Sequence, residues 1–225
     1  MILSSASALG QITADRLLED IRFGATLQDA DLQGQVRKGS KKLPVSLFMR
    51  GEDIQFYFKD SRGKDNRFHV RLEQDDLTLL EMQGKKERHF PREKLGQSID
   101  GTDLTYEDLS LRFLYWKGGV IEGPEKVNGY ECYRIRLVNP TNKGRYGIVY
   151  VWAHKKYHAL IQVKGYTKGG APLKEFLITD LMKVKDTYTV KQMRIDTIDP
   201  KTARSVGRTY LEFQKPTNLR KRGPR

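Results

Sequence analysis

The sequence predicts a mainly β protein with short helices, a curved antiparallel sheet carrying a helix against its open face. Three observations predict it. Most of the 225 residues alternate apolar with polar, as strands do. One central stretch, Gly101 to Leu109 running on to Trp116, instead spaces Leu104, Tyr106, Leu109 and Phe113 as a short helix would. That stretch divides the chain into two β-rich halves whose strands follow one another through short turns.

The elements follow in order. Ile12 to Phe23 is an amphipathic helix: Thr13 caps it, and Ile12, Leu17, Leu18 and Ile21 recur on one face. Gly24 is expected to end it. Val45, Leu47 and Met49 then alternate with Ser46, Phe48 and Arg50, and Ile54, Phe56 and Phe58 with Gln55, Tyr57 and Lys59. Gly51-Glu52-Asp53 joins this pair as a hairpin. Phe68 to Leu72 and Leu77 to Met82 are further strands, with Gly63 and Gly84 in the turns between. In the central insert, Thr105 with Asp108 three residues later forms an N-cap pair. Beyond it, Asn128-Gly129 supplies the positive φ angles of a tight hairpin. Six strands follow: Tyr133–Leu137, Gly147–Trp152, Ala159–Tyr166, Leu173–Val184, Tyr188–Ile198 and Ser205–Phe213.

The ends read differently. Residues 1–11 contain Ala6-Ser7-Ala8, which is like the end of a secretory signal, but lack a charged start and a full apolar core. They are expected to be a signal remnant or a disordered start. Residues 12–215 form the folded domain, and 216–225 a basic, disordered tail.

Composition narrows the classes of function. With 38% hydrophobic and 10% aromatic residues, the chain can bury a core. The formal charge of +13 favours anionic partners without choosing among them. Cys132 is the single cysteine, which excludes an intrachain disulfide, a cysteine-rich zinc site and a CxxC redox pair. No apolar run is long enough to span a membrane as a helix.

Catalytic and metal-binding candidates are few. Asp103 and Glu107, four apart, could share a helix face as an acid/base pair, but acidic residues near a helix N-terminus also answer to the macrodipole. His154 and His158 have the spacing of a helical metal pair, yet Lys155 and Lys156 lie between them at a turn. Cys132 enters a strand beside Ile135 and Leu137 and reads as a small buried hydrophobe. The phosphate-binding and nucleophile-elbow motifs are missing. The chain is therefore expected to be no enzyme and to use no cofactor or metal.

Its apolar surplus says more. Phe48 lies opposite Val45 and Leu47, and Gly147 to Trp152 is apolar on both faces, more than an open sheet requires. Helices over one face could complete the core, or could plug a cavity that an acyl chain enters. Basic residues, by contrast, are dispersed rather than set beside stacking aromatics, so nucleic acid is not expected. A polyanion-binding surface, for nucleic acid or acidic polysaccharide, is the alternative.

The run Gly101-Thr102-Asp103-Leu104-Thr105-Tyr106-Glu107-Asp108-Leu109, then Arg112 to Trp116, Val127-Asn128-Gly129 with Cys132-Tyr133, and Tyr150-Val151-Trp152 carry a resemblance. Over roughly residues 45–214 the chain resembles the LolA-like family of outer-membrane lipoprotein-sorting proteins. The resemblance implies a single-domain, half-open antiparallel β-barrel with helices packed in its concave face. It implies export to the periplasm, lipid or lipoprotein acyl chains as cargo, and inner- and outer-membrane lipoprotein-handling partners. No cysteine stands near the N-terminus, so a soluble, monomeric shuttle is expected rather than a lipid-anchored acceptor. Phe48, Phe56, Phe58, Leu104, Leu109, Phe113 and Trp152 are the expected lipid-lining residues. Leu17, Leu18, Ile21 and Tyr106 are the expected lid, and Arg220, Lys221 and Arg222 the expected contacts to anionic headgroups.

Overall fold

The structure is a computed structural model that describes residues 12–83, 86–141, 143–185 and 187–216. Residues 1–11, the Gly84 turn and the headgroup candidates Arg220, Lys221 and Arg222 lie outside the described residues. Helix α1 spans Ala14–Thr26 and is followed by β1 (Asp29–Lys38), β2 (Lys41–Arg50), β3 (Asp53–Lys59), β4 (Asp65–Leu72), β5 (Leu77–Gln83) and β6 (Lys86–His89). An insert carries α2 (Tyr106–Ser110) between the 3-10 turns Arg92–Lys94 and Arg112–Tyr115. The second half comprises β7 (Val120–Val127), β8 (Tyr130–Val138), β9 (Ile148–His154), β10 (Leu160–Tyr166), β11 (Pro172–Val184), β12 (Thr187–Ile198) and β13 (Ser205–Phe213).

Among the described residues the strands form one antiparallel sheet in the order β6-β5-β4-β3-β2-β1-β13-β12-β11-β10-β9-β8-β7. Each half is a meander, and the two meet at the β1–β13 seam. Edges β6 and β7 do not pair, so the barrel stays half open. Because the chain leaves one edge and re-enters at the other, the insert between them must cross the mouth. That topology, rather than any helix propensity, puts α2 over the concave face.

Strands β1, β6 and β7 and the end of α1 depart from expectation; β6 is polar throughout, and β7 is interrupted by Gly123 and Pro124, so neither shows a run of alternation. Strand β1 carries Ala30, Leu32 and Val36 at alternate positions, but Gly34 interrupts the apolar register and hid it. At Gly34 a β-carbon would run into the Glu212 carbonyl and the Phe213 ring, so the seam closes only over a bare backbone. Helix α1, expected to stop at Gly24, continues to Thr26. A glycine ends a helix by turning left-handed; Gly24 does not, and the Thr26 hydroxyl instead donates to the Phe23 carbonyl at 2.8 Å. The Thr13 hydroxyl accepts from the Arg16 amide at 3.2 Å, as its cap position predicts. Asn128 and Gly129 have φ of 48° and 87°, the paired positive angles of a two-residue hairpin between β7 and β8.

Register assigns the faces. Phe58 pairs with Val45, Phe56 with Leu47, and Leu47 with Leu32. Across the seam Val36 pairs with Leu211, and farther on Phe176 pairs with Val163 and Val163 with Val151. Paired residues share a face, so all of these point inward. Leu17 and Leu18 of α1, together with Leu104 and Phe113 of the insert, join them in one buried core.

Candidate functional site

The concave face is a trough of apolar side chains, and two separate pieces of chain fill it. Each piece is held differently.

On the N-terminal half the trough is aromatic. Phe56 and Phe58 of β3, Phe68 of β4 and Phe90 after β6 are all buried. Tyr106, at the first position of α2, inserts among them, with ring centroids 4.8 Å from Phe90, 5.4 Å from Phe68 and 6.4 Å from Phe58. These are edge-on and tilted contacts of the kind that stabilise aromatic clusters beyond area alone. Burial, then the charges of Glu81, Asp60 and Asp100, push the Tyr106 hydroxyl up to about 12. Leu104 and Phe113 are buried beside it, while Leu109 is half-buried against the same core.

The insert is fastened to the sheet by polar groups. Asp108 and Thr105 form a reciprocal capping box, with the Thr105 amide donating to Asp108 Oδ2 at 2.8 Å. The same carboxylate accepts the Tyr146 hydroxyl at 2.5 Å on its other oxygen and pairs with Lys174 Nζ from β11. Lys174 and Asp108 are both almost wholly buried, and Lys174 also donates to the Asp103 carbonyl. Burial, reinforced by the neighbouring Asp108 carboxylate, holds the Tyr146 hydroxyl well above its ordinary value. Asp103 accepts from Thr197 at 2.9 Å, from Thr209 at 2.9 Å and from Lys38 at 3.2 Å. The motif Asp103-Leu104-Thr105-Tyr106-Glu107-Asp108 therefore alternates anchors with apolar and aromatic fill.

The expected Asp103/Glu107 pair does not form one centre. Asp103 lies before α2 and bonds the sheet, whereas Glu107 turns away and accepts the Arg145 amide at 3.1 Å. Burial raises the Glu107 carboxyl, against the opposing pull of that amide. The acidic residue that works with Asp103 is Asp108. One signal could have found its partner: Lys174 stands in register with Phe176 and Ile178, a lysine on an otherwise apolar strand face.

Helix α1 is the second filler. Leu17 and Leu18 are buried in the core and Ile21 packs against it. It touches the insert directly, since Arg22 donates to the Leu114 carbonyl and its guanidinium lies 4.7 Å from the Tyr115 ring centroid. At the sheet, Asp20 is 2.7 Å from His158 Nδ1. His154 accepts the Lys156 amide at 3.0 Å, so the two histidines face different partners rather than one ion.

Two of the expected lining residues stand elsewhere. Phe48 pairs with Asp31 and Gln55, and Trp152 with Arg134 and Gln162; both lie on the convex face. An even number of steps separates neither from the inward residues of its own strand, and parity of that kind is invisible without the register. Cys132 is on the convex face too, in a small cluster with Val127, Trp152 and Ile161, and burial pushes its thiol up to about 11. No helix among the described residues is long and apolar enough to cross a membrane.

Comparisons agree with this architecture. A DUF1329 family protein from Desulfovibrio piger superposes with a TM-score of 0.63 at 18% identity, covering 88% of this chain and 89% of that one. A LolA superfamily protein from Nitrosomonas europaea gives 0.63 at 13% identity, over 93% and 96%. A putative outer membrane lipoprotein-sorting protein domain from Vibrio parahaemolyticus gives 0.61 at 15% identity, over 84% and 85%. At such identities the likeness is one of fold. No curated protein sequence matches the chain. A family model described as "Uncharacterized protein" matches residues 54–219. The chain belongs to that family, and its fold is the LolA-like half-open barrel.

Proposed function

We propose that the protein is a non-enzymatic carrier that takes lipid, or the acyl chains of lipoproteins, into its concave trough. The observation that carries this reading is the way the trough is filled. Its apolar lining belongs to the sheet, but the fill comes from α1 and the insert, two pieces that can leave without unpairing a strand. Burying ten methylenes in their place would contribute about 8 kcal/mol, enough to compete with such a plug. Phe56 and Phe58 are the proposed contacts from the sheet; Leu17, Leu18, Ile21 and Tyr106 are the parts that swing away to admit the chain, and Leu104, Leu109 and Phe113 then close over it from the insert. Phe48 and Trp152 leave the lining set because they face outward.

The likeness to a lipoprotein-sorting domain supports a lipoprotein-handling carrier. On this reading it is exported to the periplasm and works as a monomer between inner- and outer-membrane lipoprotein-handling proteins. Arg220, Lys221 and Arg222 would add attraction to anionic headgroups, on the order of 1 kcal/mol each near the surface.

Native mass spectrometry of detergent-free protein tests the reading. A lipid-sized adduct near one per chain supports it; a bare mass from protein never delipidated counts against it. Leu104→Asp with Leu109→Asp should abolish uptake of a fluorescent fatty acid. Unchanged uptake by that variant, still folded, would rule out the plug.

A further inference from the structure

The convex face holds a recess that the plug and trough leave unused. Strand β9 is apolar on both sides, yet the trough takes only Val149, Val151 and Ala153. Its other side, with neighbours on β8 and β10, lines a recess of ≈ 380 Å³ open to solvent. That volume sits within the range of about 300–1,000 Å³ typical of small-molecule sites.

The lining is specific in its chemistry. Trp152 forms the floor, buried, with its indole N–H donating to Glu125 Oε2 at 3.1 Å. Half-buried Tyr150 and Tyr166 make the walls, edge-to-face with centroids 5.6 Å apart. Lys164 lies 5.5 Å from the Trp152 ring centroid and Arg134 5.8 Å from that of Tyr150. A solvent-facing strand pair needs no such cluster of aromatics.

The charges decide the ligand class. Arg134 is bound to Glu122 at 3.0 Å and Glu125 at 3.2 Å, and Lys164 to Glu175 at 3.7 Å. The lining itself sets Arg134 and Lys164 against Glu125, and Arg194 shares Glu175 at 3.5 Å; both lining cations are already paired, so neither is held open for a phosphate or other bare anion. Cations lie over the Tyr150 and Trp152 rings, so the aromatic face left to a ligand is that of Tyr166. That combination suits a ligand whose hydroxyls donate to Glu125 and accept from Lys164 and Arg134, while its C–H face rests on the Tyr166 ring. We propose that this recess binds a sugar ring, as one unit of a glycan, independently of any lipid in the trough.

Saturation-transfer NMR with the full chain tests this, using chitotriose, cellotriose and maltotriose at millimolar concentration, with inorganic phosphate as the anion control. The expected result is saturable binding of at least one trisaccharide with a change in Trp152 emission, read in a Trp116→Phe background. Lys164→Ala and Tyr166→Ala should each weaken it about tenfold, the loss of one good contact. Lys164 is partly exposed, so its variant keeps the test valid if Tyr166→Ala unfolds. Failure of all three sugars to bind, binding unmoved by the Lys164 variant, or phosphate binding in place of sugar would each overturn the proposal.

Discussion

The Asp103 carboxylate occupies the place where a side chain on Gly207 would begin. A β-carbon there would press into Asp103 Oδ1 and its carboxyl carbon, well inside van der Waals contact. The carboxylate cannot retreat freely, because Thr197, Thr209 and Lys38 hold it from three strands. One missing side chain on β13 thus lets the insert seat against the sheet.

Gly207→Ala should therefore destabilise by about 1–3 kcal/mol, the usual cost of overpacking a close contact. Urea midpoints measure it. Gly96→Ala is the control: its added carbon meets nothing nearer than Arg145 Cδ at 3.7 Å, so it should stay within about 0.5 kcal/mol. Placing Gly207→Ala in an Asp103→Ala background should remove most of the cost, as coupling between touching residues requires.

Helix α1 yields a prediction of opposite sign. Gly24 lies inside the helix with open space where a β-carbon would go. Gly24→Ala should then stabilise the protein by about 0.5–1 kcal/mol through backbone entropy. A loss of stability would mean that the last turn of α1 is not helical in solution.

The seam between the two halves should be sensitive to acid. Hydrogen bonds from Arg37, assisted by Gln35 and Gln192, outweigh burial and hold the Glu212 carboxyl below its ordinary value. These partners come from β1 and β12, flanking Glu212 on β13. A depressed carboxyl stabilises the fold above its unfolded pKa of 4.5, and that stability fades as pH falls through the lowered value. Wild-type protein should lose stability on acidification below about pH 4.5, while Glu212→Gln starts lower and shows a shallower fall. Parallel pH profiles for the two would show that Glu212 does not couple the seam to pH.

How much of this was legible beforehand follows the physics of each signal. Alternation is local, so the strands from Val45 to Met82 and from Tyr133 to Phe213 could be read, as could the Thr105 cap and the Asn128-Gly129 turn, whereas the edge strands β6 and β7 could not. Strand β1 could not, because its partner across the seam is almost the whole chain away and Gly34 breaks its pattern. Phe56 and Phe58 share the trough, but Phe48 and Trp152 resemble them in every local respect and face outward. Face is a property of register, and register is set by distant pairing. The acidic motif was visible as a motif; its role was not, because Lys174, Thr197 and Thr209 reach it from strands sixty or more residues later.

Lys174 carries the prediction that joins stability to cargo. Its buried ammonium bridges Asp108 and the Asp103 carbonyl, on a strand face otherwise occupied by Phe176 and Ile178. Lys174→Met keeps the volume but strands the Asp108 carboxylate, which still accepts from Tyr146 and the Thr105 amide. Leaving one charge of a buried pair uncompensated costs about 3–5 kcal/mol. If that cost falls on the insert rather than on the sheet, the plug opens before the barrel unfolds. Hydrogen exchange should then speed up at the amides of residues 103–115 while β11 to β13 stay protected. Uptake of a fluorescent fatty acid should rise in the same variant. Faster exchange throughout the sheet, with no gain in uptake, would instead make Lys174 a plain stabiliser of the whole fold and detach the polar anchor from the carrier cycle.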